Sequence, residues 1–486
     1  MKLWKKILVA LLILLVLLAG LLWWLTRPVP ATLSLEETTG TDPTLVAPEE
    51  QTIPTVGIAE PVGWQEGEAP TAAEGLVVNR FADGLDHPRV IYTMPNGDVL
   101  VAEARAPEAE VAGGWLTNLV ASFLFSEAGS SGESPNRIVL LRDTDGDGVA
   151  DETHVLRESD LDSPSGMAWV DGHLYVANHD ELLRFTYAEG ANELTGEPEK
   201  IADLPAAGNH WMRNIALSPD GERLYVAVGS ASNVAEGGME IEQGRAAIHE
   251  INLESGSART FAAGLRNPNG LAWNPWTGEL WTTVNERDML GSDLVPDYMG
   301  AVPIGAHYGW PWFYYATKVD DRVEGRYGIN PDYVRFPDFA LGAHVAALGL
   351  VFTQEGTMMG QGFGPGAFVA RHGSWNRVPL SGYDVVFVRF DDRGSPTGEP
   401  VPVLTGFLAD QEHTHGRPTW LAWDRTGALL VSDDTGNAIW RVTSPGATPA
   451  PAIVRNHGER LPPRRNLIGD PARAFEDGAV NPADVM

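Results

Sequence analysis

The chain has 486 residues, of which 43% are hydrophobic, with 53 glycines, 35 prolines and no cysteine. The lack of cysteine excludes disulfides, thiolate metal sites, iron–sulfur clusters and covalently attached c-type haem, so a redox enzyme of this sequence would pass its electrons to a separate carrier. The formal net charge of −31 argues against binding to nucleic acid or to anionic lipid, and it names no substrate.

The first 27 residues are predicted to be a transmembrane signal anchor. Lys2, Lys5 and Lys6 precede an uninterrupted apolar run over residues 7–25, which is long enough to span a bilayer. The basic end is expected in the cytoplasm, which places the rest of the chain in the periplasm or the exterior. The alternative is a cleaved signal peptide, whose apolar core would be shorter and would end in small residues rather than in Trp23 and Trp24.

Composition divides the remaining chain into three parts. Residues 28–74 are rich in Pro, Thr, Glu and Ala, and we interpret them as an extended acidic linker. Residues 75–447 form the predicted catalytic domain, and residues 448–486 form a polar tail without an assigned function. Residues 107–135 are a long insertion with an apolar centre, for which a buried packing helix is favoured over an amphipathic lid or a membrane-facing helix.

Six segments of the predicted domain share one pattern of an apolar strand, a turn containing Gly, Pro or Asp, and a second strand. They are Pro88–Glu103, Pro164–Asn178, Arg213–Ser230, Asn267–Glu286, His344–Gly373 and Arg417–Val442. Repeats of this size, each with a few strands, are typical of propeller blades. The sequence therefore predicts an all-β fold, a six-bladed β-propeller behind an N-terminal transmembrane helix.

One histidine stands out among the twelve. His210 comes shortly before the strand of the third hairpin, next to Trp211 and Arg213. A neutral imidazole is the natural general base for removing a proton from a hydroxyl group, and activity is then expected to rise with pH through its pKa. Packing or surface exposure is the alternative interpretation, as for most of the other histidines.

Several cationic residues occupy corresponding edges of different blades. Arg266, Arg417 and the group from Arg371 through His372 to Arg377 are expected to converge on the central pocket of a propeller. A guanidinium can hold a carboxylate through two hydrogen bonds, so the convergence predicts an anionic ligand. For a single arginine, a surface ion pair would be the simpler interpretation.

A second candidate site is the run from Asp143 to Asp151. Its alternating carboxylates around a glycine turn are typical of calcium-binding loops, although the twelfth position is His154 rather than Glu. Asp143, Asp145, Asp147 and Asp151 are therefore candidate ligands of a structural calcium ion. A solvated acidic turn is the alternative.

Several longer motifs together resemble the glucose/sorbosone dehydrogenase family, with the closest likeness to its sorbosone branch. They are GNHWMRNIALSPDGERLYVAVGS, GLRNPNGLAWNP, VNERDMLGSDLVPDY, HYGWPW, LGAHVAALGLVF, VARHGSWNR and GRPTWLAWD. The likeness runs from about Gly75 to Val442. It implies a six-bladed propeller that uses pyrroloquinoline quinone (PQQ) and calcium to oxidise sugars or sugar-derived alcohols and aldehydes, with electrons passed to an external cytochrome or quinone.

The resemblance also implies roles for individual residues. His210 would be the catalytic base, Arg266 and Asn267 would contact the quinone, and Arg417 would bind a cofactor carboxylate. The main-chain carbonyls of Glu286 and Arg287 would hold the catalytic calcium. One basic residue of the group that contains His372 and Arg377 would complete the pocket.

The sequence departs from the soluble glucose enzymes at two positions. Ser230 stands where those enzymes have an aspartate that orients the base, and a glutamine is missing near Pro164 and Ser165. Glucose is therefore a doubtful substrate. A non-catalytic binding propeller and a calcium-dependent lactonase remain the alternative functions.

Overall fold

The computed structural model describes residues 3–26, 28–51, 55–107, 132–206, 208–323 and 328–455. Helix α1 spans Leu3–Thr26. Among the residues whose side chains are described, no helix is long and apolar enough to cross a membrane. The structure therefore does not support the predicted anchor. Most of the insertion at 107–135 and of the C-terminal tail lies outside the described residues.

The strands of the first half of the chain follow a regular order. Four come before the first complete hairpin: β1 (Thr39–Gly40), β2 (Glu60–Pro61), β3 (Thr71–Ala72) and β4 (Val77–Ala82). Blade 1 contains β5 (Pro88–Thr93), β6 (Val99–Glu103), β7 (Arg137–Arg142) and β8 (Glu152–Arg157). Blade 2 contains β9 (Met167–Val170), β10 (His173–Ala177), β11 (Glu181–Thr186) and β12 (Glu199–Asp203). Blade 3 contains β13 (Ile215–Leu217), β14 (Arg223–Val228), β15 (Ala247–Asn252) and β16 (Ala258–Ala263).

The second half completes three more blades. Blade 4 contains β17 (Asn267–Trp273), β18 (Leu280–Asn285), β19 (Pro296–Ala301) and β22 (Phe339–Ala343), with β20 (Phe313–Tyr314) and β21 (Lys318–Val319) in the insertion before β22. Blade 5 contains β23 (Ala347–Phe352), β24 (Gly366–Arg371), β25 (Asp384–Phe390) and β26 (Pro396–Thr405). Blade 6 contains β28 (Pro418–Trp423), β29 (Leu429–Asp433) and β30 (Ala438–Thr443), preceded by the short β27 (His413–Thr414). Three short 3₁₀ turns lie at Glu36–Thr38, Pro331–Tyr333 and Gln361–Phe363.

The ring is closed by strands from the beginning of the chain. β4 is the outer strand of blade 6, antiparallel to β30, so the two ends of the domain share one sheet. β1 adds a fifth strand to blade 4 beside β22, and β3 adds a fifth strand to blade 5 beside β26. All six predicted hairpins pair as antiparallel strands, and the six-bladed propeller is confirmed.

The third hairpin shows why these segments fold locally. Gly221 has a φ of +75°, which glycine adopts without strain, and its amide donates to the carbonyl of Ser218 at 2.9 Å. Asp220 accepts from the amide of Glu222 at 3.1 Å, which closes the turn. The apolar run of β14 is buried along nearly its whole length, as expected for a strand inside a blade.

The hydrophobic core is divided among the interfaces between neighbouring blades. Six clusters of buried side chains fill the six interfaces in turn, including the one between blades 6 and 1. Phe368 of blade 5 and Trp440 of blade 6 belong to one cluster, and Ile439 of blade 6 packs with Val101 of blade 1 in another. Each blade thus buries both faces of its sheet, which holds the ring rigid around its centre.

The predicted linker at 28–74 is extended, but its described residues lie on the propeller rather than in solvent. Besides β1 and β3, β2 pairs in parallel with β27. Trp64 packs edge-on against Trp440 and stacks on His415. Its composition suggested a free tether because so few of its residues are apolar, whereas the structure anchors it mainly through backbone hydrogen bonds and a few buried side chains.

Candidate active site

One end of the propeller collects the predicted site residues. In each blade the first strand begins, and the second ends, at the same edge because the two strands are antiparallel. Asn267 pairs with Asn285, Pro418 with Asp433, and Ala347 with Arg371. His210, Arg266, Glu286, His372 and Arg417 all stand just before a first strand or just after a second one, so the fold gathers them around the central axis.

His210 is oriented through one ring nitrogen. Its Nδ1 lies 2.8 Å from the carbonyl oxygen of Ser230 and 3.1 Å from Oγ of the same residue. The Ser230 hydroxyl donates to the carbonyl of Ser232 at 2.6 Å, so both Ser230 oxygens act as acceptors towards the ring. Nδ1 therefore carries the hydrogen, and Nε2 keeps its lone pair. Nε2 makes no hydrogen bond within the described part of the chain and is not among the buried atoms that lack a partner, so it faces accessible space.

The imidazole of His210 is neutral over the whole physiological range. Burial lowers its pKa to about 3, with the nearby positive charge of Arg266 as the second cause. The expected rise of activity with pH through a histidine pKa near neutrality is therefore not supported. The backbone that carries His210 is held by Arg213, a fully buried guanidinium whose Nη1 donates to the His210 carbonyl at 2.9 Å.

Arg266 is buried and paired with a carboxylate that the sequence did not single out. Its Nη2 lies 3.0 Å from Oδ2 of Asp288 and 3.0 Å from Oδ1 of Asn233. Asp288 also accepts from Asn376, and its Oδ1 lies 3.6 Å from Nδ1 of His344. Although burial opposes ionisation, Arg266 and His344 lower the pKa of Asp288 to about 2. The pair is therefore charged at every working pH.

Asn267 packs directly beside the histidine. A Cβ added to Gly229 would lie 2.4 Å from Oδ1 of Asn267 and 2.6 Å from Cβ of His210, so only glycine permits this approach. Nδ2 of Asn267 donates to Oδ1 of Asn285 at 3.2 Å, which fixes the amide. The structure thus brings His210, Arg266 and Asn267 into one constellation.

Glu286 and Arg287 present their backbones near this constellation, while their side chains point into the protein. The carbonyl oxygen of Glu286 accepts from Nη1 of Arg266 at 2.6 Å. The Arg287 guanidinium is fully buried and donates to the carbonyls of Pro311 and Phe313, both at 2.7 Å. A calcium ion at the Glu286 carbonyl would therefore share that oxygen with the positively charged Arg266.

Arg417 stands just before β28 of blade 6 and has an uncommitted nitrogen. Its Nε and Nη2 donate to the carbonyls of His372 and Gly373 at 3.0 and 2.8 Å, and its guanidinium lies 5.3 Å from the ring centre of Tyr383. Within the described residues Nη1 makes no hydrogen bond and no carboxylate forms an ion pair with the guanidinium. Because Nη1 is not a buried atom without a partner, it remains accessible to a ligand.

His372 belongs to a cluster around a second carboxylate. Its Nε2 lies 2.8 Å from Oδ2 of Asp434, which also pairs with Arg89 and lies 3.6 Å from Nε2 of His87. Burial, followed by the charge of Arg417, lowers the pKa of His372 to about 3, so this imidazole is neutral. Arg89 packs over the ring of Trp211, which connects this cluster to the neighbour of His210.

Arg377 is engaged away from these two groups. Its guanidinium donates to the carbonyls of Pro379 and Leu33, and Nη2 lies 3.5 Å from Oδ1 of Asp293. None of its contacts within the described residues reaches the surroundings of His210 or Arg417. Of the basic group at 371–377, His372 is therefore the residue that the structure places beside Arg417.

The acidic loop after β7 keeps three of its four candidate ligands together. Carboxylate oxygens of Asp143, Asp145 and Asp151 lie within 4.8 Å of one another. Asp147 is outside this group, and its Oδ1 accepts from the amide of Val149 at 2.8 Å. Asp151 accepts two hydrogen bonds from Thr144, which lower its pKa. The loop is exposed, so these contacts agree with a calcium site and equally with a solvated turn.

Sequence reasoning missed the surrounding residues that pair with the predicted site residues or with their partners. These are Asp288, His344, Asn233, Asn376, Asp434, Arg89 and His87. A usable signal existed for part of this set. Asp434 directly follows the second strand of blade 6, the position that His372 occupies in blade 5 and Glu286 in blade 4.

Comparison with known proteins places this site in a family. The family model described as TrAA12-like matches residues 133–297 and 330–445, which is more than half of the chain. The chain belongs to the TrAA12-like family. This confirms the recognition drawn from the sequence motifs.

Named relatives of this TrAA12-like protein align with about three quarters of the chain. A curated pyrroloquinoline quinone-dependent sugar dehydrogenase of Hypocrea jecorina is 23% identical over 426 residues, covering 76% of this chain and 89% of that protein. The iodide structure of the Trichoderma reesei family AA12 enzyme aligns with a TM-score of 0.60 at 20% identity, over 77% of this chain and 98% of its own. The holo PQQ domain of Coprinopsis cinerea pyranose dehydrogenase aligns with a TM-score of 0.58 at 19% identity, over 79% and 100%. At these identities the structural likenesses establish the fold.

Proposed function

We propose that this TrAA12-like protein is a PQQ-dependent dehydrogenase that oxidises a sugar or sugar-derived alcohol or aldehyde. The observation that carries the proposal is the His210 constellation. An imidazole with its Nδ1 committed and its Nε2 accessible lies beside Arg266 and Asn267 at the mouth of the propeller. The names of the Hypocrea and Coprinopsis proteins support the cofactor and the substrate class. The sorbosone branch and the identity of the external electron acceptor remain predictions.

His210 would act as the base. Nε2 is unprotonated at neutral pH, and the Ser230 oxygens keep the ring from turning, so the lone pair can be aimed at a substrate hydroxyl. Removal of that proton makes the carbon-bound hydrogen a better hydride donor. PQQ, when bound, supplies the acceptor for the hydride and its two electrons.

The cationic residues fit an anionic cofactor such as PQQ, which carries carboxylates. Arg417 offers the free Nη1, and no carboxylate of the described chain neutralises its guanidinium. Arg266 adds positive charge beside His210, but all three of its guanidinium nitrogens already donate within the chain, so a cofactor carboxylate would have to displace one of these partners. Charge-assisted hydrogen bonds of this kind are about twice as strong as neutral ones.

The calcium of the proposal is assigned to the backbone after β18. The carbonyl oxygens of Glu286 and Arg287 are hard ligands, and the ionised Asp288 adds a negative charge next to them. A calcium ion would share the Glu286 oxygen with the positively charged Arg266. The repulsion between the two cations predicts that Arg266 changes partners when calcium and the quinone are bound.

Reconstitution tests the function directly. Purified apo-protein is mixed with CaCl₂ and PQQ, and the absorption of bound quinone and the reduction of an artificial acceptor by a panel of aldoses, ketoses and sugar-derived aldehydes are followed. Saturable quinone binding with calcium-dependent turnover supports the proposal. Quinone binding without turnover of any sugar would favour the binding propeller, and calcium-dependent hydrolysis of a lactone without quinone would favour the lactonase.

The membrane anchor is a separate proposal that rests on residues 1–27 of the sequence alone. If the segment is an uncleaved anchor, the native protein sediments with membranes and retains its N-terminus. A mature N-terminus located after residue 27 would identify a cleaved signal peptide instead.

A further inference from the structure

We propose that the described residues of 28–64 form a strap that positions the catalytic groups, so that this N-terminal segment is part of the active site. The strap comprises residues 28–51 and 55–64. It contacts the loop at 286–293, named here the Asp288 loop, and the support of Arg417. The identity of the ligands, PQQ and calcium, rests on the proposed function. The contacts of the strap lie within the chain and do not depend on it.

The first half of the strap holds the Asp288 loop at successive residues. The amides of Gln51 and Glu49 donate to the carbonyls of Met289 and Leu290, both at 3.1 Å. Met289 has a φ of +71°, a conformation that costs free energy in a residue other than glycine and persists where surrounding contacts impose it. The strap therefore supplies part of what maintains this strained turn directly after Asp288.

The strongest contact of this half is with Asp293. Its Oδ2 accepts from the Thr32 amide at 2.6 Å, from the Thr32 hydroxyl at 2.7 Å and from the Leu33 amide at 3.1 Å. Asp293 is 5% exposed, and its Oδ1 lies 3.5 Å from Nη2 of Arg377. A buried carboxylate without its hydrogen bonds is costly, so the strap and the loop are expected to order together.

The Asp288 loop connects the strap to the proposed catalytic residues. Asp288 stands at the head of the segment that the strap holds, and it fixes Nη2 of Arg266 at 3.0 Å. Its other carboxylate oxygen, Oδ1, meets Asn376, which follows β24 of blade 5, and His344, which lies between β22 and β23. A displaced Asp288 loop would therefore remove two of the acceptors that orient Arg266, the Asp288 carboxylate and the Glu286 carbonyl.

The second half of the strap reaches Arg417 through Trp64. The indole Nε1 donates to Oδ2 of Asp433 at 2.7 Å, and Oδ1 of Asp433 accepts from the Arg417 amide at 2.7 Å. Trp64 also stacks on His415, with ring centres 4.9 Å apart. The strap thus contacts the residues that orient both of the arginines proposed to bind the cofactor, the Asp288 loop beside Arg266 and Asp433 beside Arg417.

The test uses four single substitutions in the full-length chain. Thr32→Val removes the hydroxyl donor, whereas Thr32→Ser retains a hydroxyl at this position. Trp64→Phe removes the indole donor but keeps an aromatic ring. Glu50→Gln, at an exposed strap residue, is the matched control. Amide hydrogen exchange of residues 286–293 is measured in apo-protein, and the dissociation constant of PQQ is measured with calcium present.

In Thr32→Val we expect exchange in the Asp288 loop to be about tenfold faster, the effect of losing one hydrogen bond to a charged group. Thr32→Ser and Glu50→Gln should match the wild type. If the loop amides of Thr32→Val exchanged at the wild-type rate, the proposed coupling between strap and loop would be wrong. Because this readout needs no cofactor, it remains informative even if the wild type binds no quinone, an outcome that would refute the proposed function alone.

For Trp64→Phe we expect quinone affinity to fall by about tenfold, while exchange in the Asp288 loop stays at the wild-type rate. A variant that melts at a lower temperature yet binds quinone as tightly as the wild type would make Trp64 a packing residue. That result would overturn its positioning of Arg417.

Discussion

The Nη2 atom of Arg266 lies 3.0 Å from Oδ2 of Asp288, and this buried ion pair connects the two loops that flank the first hairpin of blade 4. Arg266 stands before β17, and Asp288 follows β18. A residue predicted to bind the cofactor therefore already has an internal partner. The pair orients Arg266 beside His210, and it also means that any anionic ligand must compete with Asp288 for the guanidinium.

A double-mutant cycle should show that Arg266 and Asp288 act as a unit. In Arg266→Met, Asp288→Asn and the double variant, we expect a coupling free energy of about 1–3 kcal/mol, because removing one partner leaves the other charge buried. Urea unfolding of the apo-protein measures it. The exposed pair Lys200 and Asp203 is the control, with an expected coupling below about 1 kcal/mol. Equal coupling in the two cycles would contradict the proposed buried pair.

Replacing His210 should separate chemistry from binding. His210→Ala is expected to bind calcium and quinone normally while turnover falls by roughly two to four orders of magnitude, the usual contribution of a positioned base. The loss should appear in kcat more than in KM. Near-normal turnover would move the base elsewhere, and loss of quinone binding would make His210 a structural residue.

The pKa of His210 should respond to an anionic ligand. Arg266 is one of the two main causes that lower it to about 3, so an anion that neutralises Arg266 should raise it towards the range of an effective base. NMR titration of His210 labelled with ¹⁵N, with and without bound PQQ, measures the shift. A pKa that does not rise on binding would contradict the arrangement.

Arg417→Ala should weaken quinone binding by about 10- to 150-fold, since a charge-assisted hydrogen bond contributes roughly 1.5–3 kcal/mol. Arg389 of blade 5 is exposed and donates to the carbonyl of Gly362, so Arg389→Ala serves as the control. Equilibrium titration of quinone fluorescence gives both affinities. An unchanged dissociation constant in Arg417→Ala would mean that Nη1 does not meet the cofactor.

The neutral His372 should make the fold sensitive to acid. Its folded pKa of about 3 lies below the ordinary value of 6.5, so below pH 6.5 the unfolded chain binds a proton that the folded chain does not. Between pH 7 and 5 this group should remove up to about 2 kcal/mol of stability. His372→Gln, which keeps a donor for Asp434, should lose that share of the pH dependence in urea unfolding. Identical pH profiles of the two proteins would contradict the neutral assignment.

The acidic loop after β7 offers an internal control for calcium. If calcium binds there, Asp145→Asn and Asp151→Asn should reduce the rise of the melting temperature on adding CaCl₂. Asp147→Asn should leave it intact because Asp147 lies outside the carboxylate group. A solvated turn would give the same calcium response in all three variants and in the wild type.

The sequence by itself determined the blades, because apolar strands around turns that contain Gly, Pro or Asp encode hairpins locally, and six copies of that pattern can bury their faces only against one another. It also singled out His210, Arg266 and Arg417 by their places at strand ends. Tertiary structure decided which charge each cation meets. Asp288 and Asp434 reach Arg266 and Arg89 across loops and blades, at separations that no local pattern records. Tertiary structure likewise decided where residues 28–64 lie, because their backbone hydrogen bonds to the propeller require the complete ring of blades.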